Sequence, residues 1–356
     1  MKMEINDLLF HRSTWLSADT PRTAAVSSRG RLARNIDGFP FAQCSNPEQR
    51  RKMMEMVRNV LEKTGWLIKG GFFELDKLSE LDRLFLMERH LISKDHALDE
   101  GERAVFIDND EVVSVMVNEE DHLRIQVIHP GFQLKNVWET INSIDDHIES
   151  GINYSFVSEL GYLTACPTNT GTGLRASVML HLPALFLANQ IGKILNSITH
   201  LGLTIRGFYG EGTELRSAFF QISNRITLGQ TEEELIDNIE RITGQVVEHE
   251  NNARDNLMKN SRAKVEDSIW RALGILRNAR LISYEEALEH LSSLRLGIEM
   301  GIVKDIKLPA VTELFILTQP AHIQKLAGRK MEAAERDEKR AALIRERIGR
   351  REEKDV

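Results

Sequence analysis

The sequence predicts an α+β fold: a β-sheet region flanked by helices over residues 1–250, followed by an all-helical region over residues 251–356. Three observations predict it. Runs rich in β-branched and aromatic residues, bounded by turn formers, recur at 104–108, 112–117, 123–128, 203–206 and 219–224, the signature of strands. Other segments, such as 47–63 and 137–149, repeat apolar residues at helical spacing. Beyond about residue 252 the strand signals vanish, and helical periodicity runs on with breaks at Pro309 and Pro320. The change of pattern puts a domain boundary between about 245 and 262.

Composition narrows the function classes. A chain of 356 residues can bury two cores. Its formal net charge of -7 argues against a general nucleic-acid binder. Two cysteines, Cys44 and Cys166, are too few for a disulfide framework. The N-terminus lacks an apolar run with a small-residue cleavage site. The longest apolar stretch, 178–187, is short and contains His181 and Pro183, which argues against a membrane span. A cytoplasmic protein with reduced thiols is expected.

Taken in order, residues 1–25 read as a helix and a loop. The segment 26–35 follows, with Arg29 and Arg31 alternating so that an extended chain puts both on one face. Two guanidinium groups on one face suit a polyphosphate; taken alone, the pair equally describes a solvated basic strand. Helices are expected at 47–63 and at 77–89, the second ending near His90. Strands 104–108 and 112–117 form a hairpin over Asn109 and Asp110, and a third strand follows an acidic turn that holds Glu120 and ends at Arg124. After the helix at 137–149, Cys166 opens a loop with Gly171, Gly173 and Arg175, where glycines would let backbone N–H groups approach an anion. A turn with a buried free cysteine is the plain alternative. Helices are expected over 178–200, then a strand and a glycine-punctuated loop carrying Arg206 and Glu211. Thr231 and Glu234 form a capping box that starts a long helix. The last segment, 323–351, reads as one basic amphipathic helix whose apolar stripe is Ala334, Ala341, Ile344 and Ile348.

Familiar nucleotide and hydrolase signatures are missing: no G-x-x-x-x-G-K-[ST], H-R-D, D-F-G or G-x-S-x-G, and no metal-type cluster of His and Cys. What remains is a set of arginines, acids and one cysteine in turns and at strand ends. Arginines gathered in this way suit a nucleoside triphosphate, and acids beside them suit a cationic acceptor.

At these residues the chain resembles the phosphagen (guanidino) kinases. S-S-R-G-R-L-A-R-N, N-E-E-D-H-L-R, C-P-T-N-T-G-T-G-L-R-A-S and R-G-F-Y-G-E-G-T-E occur in the family's order within residues 20–245. Within that family it looks most like the bacterial protein-arginine kinases. Only 28 residues precede Arg29, too few for a separate helical N-terminal domain. The loop at 210–214 and the C-terminal R-D-E-K-R-A at 336–341 point the same way.

The resemblance implies an antiparallel sheet flanked by helices and ATP-dependent phosphorylation of arginine side chains in proteins. It implies ATP with Mg²⁺, the phosphates being held by Arg29, Arg31, Arg124, Arg175 and Arg206, with His90 stacking on the base. Glu120 and Glu211 would hold the acceptor guanidinium, with Cys166 beside it. Arg336, Asp337, Arg340 and Ala341 would bind phosphoarginine at a regulatory, allosteric site. It further implies a homodimer, basic DNA-binding repressors among the substrates, an activator protein (McsA), and a Clp protease acting in protein quality control and stress response. Two alternatives remain at this stage: a small-molecule guanidino kinase, or a catalytically weak phosphoarginine-binding adaptor. Three departures from the family pattern stand out. Gly30 replaces a β-branched residue and is expected to loosen its strand, Thr170 replaces leucine, and residues 215–218 depart from a small-residue loop.

Overall fold

The computed structural model describes residues 3–17, 23–207 and 217–349. Its centre is an eight-stranded antiparallel sheet built from β1 (Ala25–Arg34), β2 (Gly70–Glu74), β3 (Ala104–Asp108), β4 (Val113–Val117), β5 (Leu123–Pro130), β8 (Leu174–His181), β9 (Leu203–Gly207) and β10 (Phe219–Asn224). The order is β2-β3-β4-β5-β1-β8-β10-β9. The small strands β6 (Phe156–Val157) and β7 (Gly161–Tyr162) form a separate hairpin.

Pleating gives the sheet two unlike faces. On the inner face, Leu32, Ile125, Val127, Leu174, Ala176, Val178, Leu180 and Ile222 form one core with the apolar stripes of three helices. Fully burying each larger aliphatic side chain contributes roughly 1.5–3 kcal/mol. The chain's helices to this point are α1 (Thr14–Ser17), α2 (Pro47–Lys63), α3 (Glu80–Glu88), α4 (Lys94–Leu98), α5 (Leu134–Glu149), α6 (Pro183–Leu187), α7 (Ile191–His200) and α8 (Glu232–Asn260). The three that cover the inner face are α2, α5 and α8. Both α2 and α8 start at complete capping boxes, Asn46 with Gln49 and Thr231 with Glu234.

Gly30 does the opposite of loosening β1. A Cβ at this position would lie 2.7 Å from Val137 Cγ1, so its absence is what lets α5 close onto the strand. Thr170 is likewise used: its hydroxyl lies 3.0 Å from that of Thr164, which donates to the Cys166 carbonyl at 2.7 Å.

The expected helices over 178–200 begin later. Residues 174–181 form β8, a central strand with most of its residues buried, and helix starts only at Pro183. A short apolar run buried on both sides has no periodicity that separates strand from helix. The expected N-terminal helix amounts to a 3-10 turn at Asp7–Leu9 and the four residues of α1.

Helix α8 runs unbroken through residue 250 and leads into α9 (Arg262–Asn278), α10 (Tyr284–Glu299), α11 (Leu308–Leu317), α12 (Pro320–Ala327) and α13 (Ala333–Gly349). Pro309 and Pro320 sit in first turns, where a missing N–H costs nothing. The expected single helix over 323–351 is two helices, because α12 ends at Gly328 with φ +69°. Ala341, Ile344 and Ile348 are buried as expected, whereas Ala334 is exposed.

These C-terminal helices share a second core with Val26, Ile128, Met179 and Phe219 on the outer face of the sheet. Polar anchors reinforce it. The Glu88 carboxylate accepts the backbone N–H groups of Ala321 and His322 at 2.7 and 2.9 Å, capping α12. Buried Glu299 of α10 receives Arg254 and Arg295 at 2.8 and 2.9 Å. The C-terminal helices therefore cover one end of the outer face and leave the other end open.

Candidate active site

The open end of the outer face carries the arginines. Register sets them in rows: Arg31 lies opposite Gln126 and Arg175, and one pleat along Arg29 lies opposite Ile128 and Ser177. Arg124 enters from the start of β5. Arg31, Arg124, Arg175 and Arg206 line one cleft with Glu119, Glu120, Asp121, Cys166 and Thr168. Arg29 and His90 line the pocket that continues it.

The guanidinium charge in this cleft exceeds what the surrounding acids pair. Arg124 meets Glu119 at 2.5 Å. The Nε groups of Arg31 and Arg175, by contrast, are buried without an acceptor among the described residues. Burial, followed by repulsion from Arg124 and Arg175, pushes Arg29 down to about 9. Burial, followed by repulsion from Arg29, Arg124 and Arg175, holds Arg31 well below the usual guanidinium range. An arginine cluster this short of anions is arranged for a polyanion.

The acids form another part of the cleft wall. Burial first, and then Asp121 and Glu119, hold the Glu120 carboxyl above the usual carboxylate range. Glu119 behaves oppositely. Despite its burial, Arg124 together with hydrogen bonds from Ser93 and the Glu120 backbone draws it down to about 2. Two adjacent glutamates are thereby pushed apart, one fixed as an anion and one ready to take a proton.

The Cys166 loop is pinned to this wall. Asp121 Oδ1 accepts the Ala165 N–H and the Asn35 side-chain N–H, both at 2.7 Å. Asn35 in turn donates to the Leu163 carbonyl at 3.0 Å and accepts from the His122 N–H at 2.9 Å. On the far side, Arg34 pairs with Asp145 at 2.6 Å, donates to the Thr172 carbonyl at 2.9 Å, and lies 3.5 Å from the Tyr162 ring centre. Gly171 and Gly173 seat the loop. Each has positive φ, and a Cβ would lie 2.3 Å from the Thr227 carbonyl oxygen or 2.6 Å from that of Ala33. Cys166 Sγ is partly exposed, 3.0 Å from the Thr168 hydroxyl.

Most of the expected residues thus converge. Glu120, Cys166, Arg31, Arg124, Arg175 and Arg206 share the cleft, and Arg29 and His90 adjoin it. Glu211, with residues 208–216, lies outside the described residues. His90 sits in a left-handed turn at φ +62° with its carbonyl accepting from Gln126 at 2.7 Å. Burial, then Arg29, push its imidazole down to about 3, so it is neutral. Sequence reasoning missed Asp121, Asn35 and Arg34, whose partners are distant in the chain, and Glu119, whose ion-pair partner Arg124 is near it in sequence. The one local signal was the acidic run at 119–121.

The C-terminal R-D-E-K-R-A segment lies on α13 among the C-terminal helices. Arg340 is 1% exposed and donates to the carbonyls of Thr318 and Ile282 at 2.7 and 2.9 Å, with Asp337 beside it. Arg336 is partly buried and donates to the Met331 carbonyl at 2.7 Å. Asp337 is a third exposed, so Arg336 and Asp337 provide the accessible edge of the segment.

Comparison with known proteins places this geometry. Residues 52–253 match the ATP:guanido phosphotransferase C-terminal catalytic domain, and residues 262–356 match the protein-arginine kinase McsB C-terminal domain. The chain is 45% identical to a protein-arginine kinase of Halothermothrix orenii, over 97% of this chain and 99% of that one. It is 49% identical to one from Pelotomaculum thermopropionicum, over 94% and 95%. Among solved structures, a lombricine kinase superposes with a TM-score of 0.57 at 25% identity, covering 66% of this chain and 68% of that one. The duplicated taurocyamine kinase of Schistosoma mansoni, bound to transition-state analogue components, gives 0.57 at 26% identity, covering 67% of this chain and 36% of that one.

Proposed function

The chain belongs to the ATP:guanido phosphotransferase family and, within it, to the protein-arginine kinases; from that premise we propose that the outer-face cleft transfers the γ-phosphate of ATP to arginine side chains of proteins with Glu120, Glu211 and Cys166 on the acceptor side and the arginines on the nucleotide side. The observation that carries the assignment is the pair of buried, unpaired Nε groups of Arg31 and Arg175 in the same cleft as Glu120 and Cys166.

An acceptor guanidinium is protonated, with a pKa above roughly 12, and its delocalised nitrogens are poor nucleophiles. Glu120 accepts one of its N–H groups and takes that proton as the N–P bond forms. The bond from phosphorus to the β-phosphate oxygen breaks in line, and ADP leaves. Glu211 is assigned the second N–H bond. Cys166, beside the Thr168 hydroxyl, flanks the guanidinium and helps fix its plane without forming a bond to phosphorus. Arg29, Arg31, Arg124, Arg175 and Arg206 neutralise charge on the phosphoryl group and the leaving group, which is most of what phosphoryl transfer requires.

Among the described residues, no three His, Cys, Asp or Glu side chains are grouped to hold a metal ion. An arginine cleft with unpaired donors fits a nucleotide that brings its own Mg²⁺, which supplies further charge neutralisation on the phosphates.

Kinship supports several finer readings. The chain acts as a cytoplasmic homodimer under an activator protein, McsA. Its products, marked proteins and basic DNA-binding repressors, pass to a Clp protease or lose activity during stress. No described helix is long and apolar enough to cross a membrane. The segment Arg336, Asp337, Arg340 and Ala341 serves as a regulatory phosphoarginine site. Arg336 and Asp337 meet the ligand, and Arg340 positions Asp337. Replacing both arginines by alanine should abolish calorimetric binding of a phosphoarginine peptide, measured in a Glu120→Gln background to prevent turnover. Equal affinity with and without the substitutions would leave α13 a purely structural helix.

The main assignment is tested by supplying ATP with either casein or free arginine. Acid-labile label on the protein alone is expected; label on free arginine would select a small-molecule kinase.

A further inference from the structure

The outer face continues beyond the arginine rows. One pleat past Arg29, Ser27 lies opposite Met179, which is paired in turn with Gln221. Four residues of β1 separate Arg31 from Ser27, roughly 13 Å at about 3.3 Å per residue. That span carries a nucleoside triphosphate from its terminal phosphate to its base.

Trp15 closes this end. It is 3% exposed and lines the pocket with Ser27, Arg29, His90, Ser177 and Gln221. Its body is fixed by packing with Val26, Ile128, Met179 and Phe219 in the core shared with the C-terminal helices. Its indole Nε1–H, however, is buried with no acceptor among the described residues. Buried indoles ordinarily find a partner, and a buried donor left without one is destabilising. The neutral His90 ring stands 5.8 Å away, tilted by 60°. Trp15 thus stands, beside His90, at the end of the arginine rows where the base of a nucleotide would arrive.

We infer that Trp15 reads the nucleobase, its indole N–H donating to an acceptor atom of the base beside His90. The inference rests on the ATP reading of the cleft and adds a residue to it. Trp15→Phe keeps the aromatic body and deletes only the donor. Calorimetry on the full chain compares ATP with inorganic tripolyphosphate, which fills the arginine rows and has no base. The variant should bind ATP about five- to tenfold more weakly, the value of one hydrogen bond, and tripolyphosphate as tightly as the parent. Tryptophan emission of the parent should respond to ATP and not to tripolyphosphate, and the response should disappear in the variant. Equal ATP affinity in the two proteins, or parallel weakening of both ligands, would assign Trp15 to packing alone. Should the variant not fold, an identical emission response of the parent to both ligands overturns the inference. A parent that binds neither ligand removes the nucleotide reading itself.

Discussion

Glu120→Gln should lower kcat by roughly 10²-fold or more, the scale of a positioned acid–base group, with little change in ATP affinity. The amide keeps the shape and one acceptor but cannot take the proton. The pH profile provides a second signature. Burial, Asp121 and Glu119 raise the pKa of Glu120. The carboxylate is therefore lost as pH falls through a value above the usual carboxylate range, and activity falls with it. This acid limb should be present in the parent and absent from the glutamine variant. Near-parent rates in the variant would reduce Glu120 to a residue of the turn.

Cys166→Ala should impair transfer by at least about tenfold, because it removes the polar sulfur assigned to the acceptor side of the cleft, while ATP binding stays near the parent value. Cys166 is partly exposed, and Thr168 supplies its side-chain hydrogen-bond partner. Truncation therefore opens no core cavity, and stability should move by no more than about 0.5 kcal/mol. Steady-state kinetics beside a thermal melt separate the two effects. A lowered melting temperature with normal specific activity would make Cys166 structural.

Legibility in the sequence followed how local each constraint was. Capping boxes are local, and two of the three inner-face helices, α2 and α8, start where Asn46 and Thr231 require. Alternation in R-x-R set Arg29 and Arg31 on one face of β1, as the register bears out. The second half of the strand at 174–181 was read as the start of a helix at 178 because its apolar run, enclosed by β1 and β10, carries no period. The stop at Gly328 was passed over inside a strongly helical composition. Least visible were the clamps. Nothing near Asp121 in the chain announces the Ala165 N–H, 44 positions on, and nothing near Arg34 announces Asp145, 111 positions on. Gly30 shows the same limit, since its reason is a side chain of α5. The motifs picked out the residues of the cleft, and folding supplied the Asp121 and Asn35 contacts that tie the turn of Glu120 to the loop of Cys166.

The most direct test is the identity of the phosphorylated atom. A protein substrate is incubated with ATP and the parent or Glu120→Gln chain, kept from acid throughout, and mapped by mass spectrometry. Phosphate on arginine side chains with the parent, reduced roughly 10²-fold with the variant, is the predicted result. Phosphate on serine, threonine or histidine, or equal arginine labelling by both chains, would contradict a guanidinium-transfer site built around Glu120.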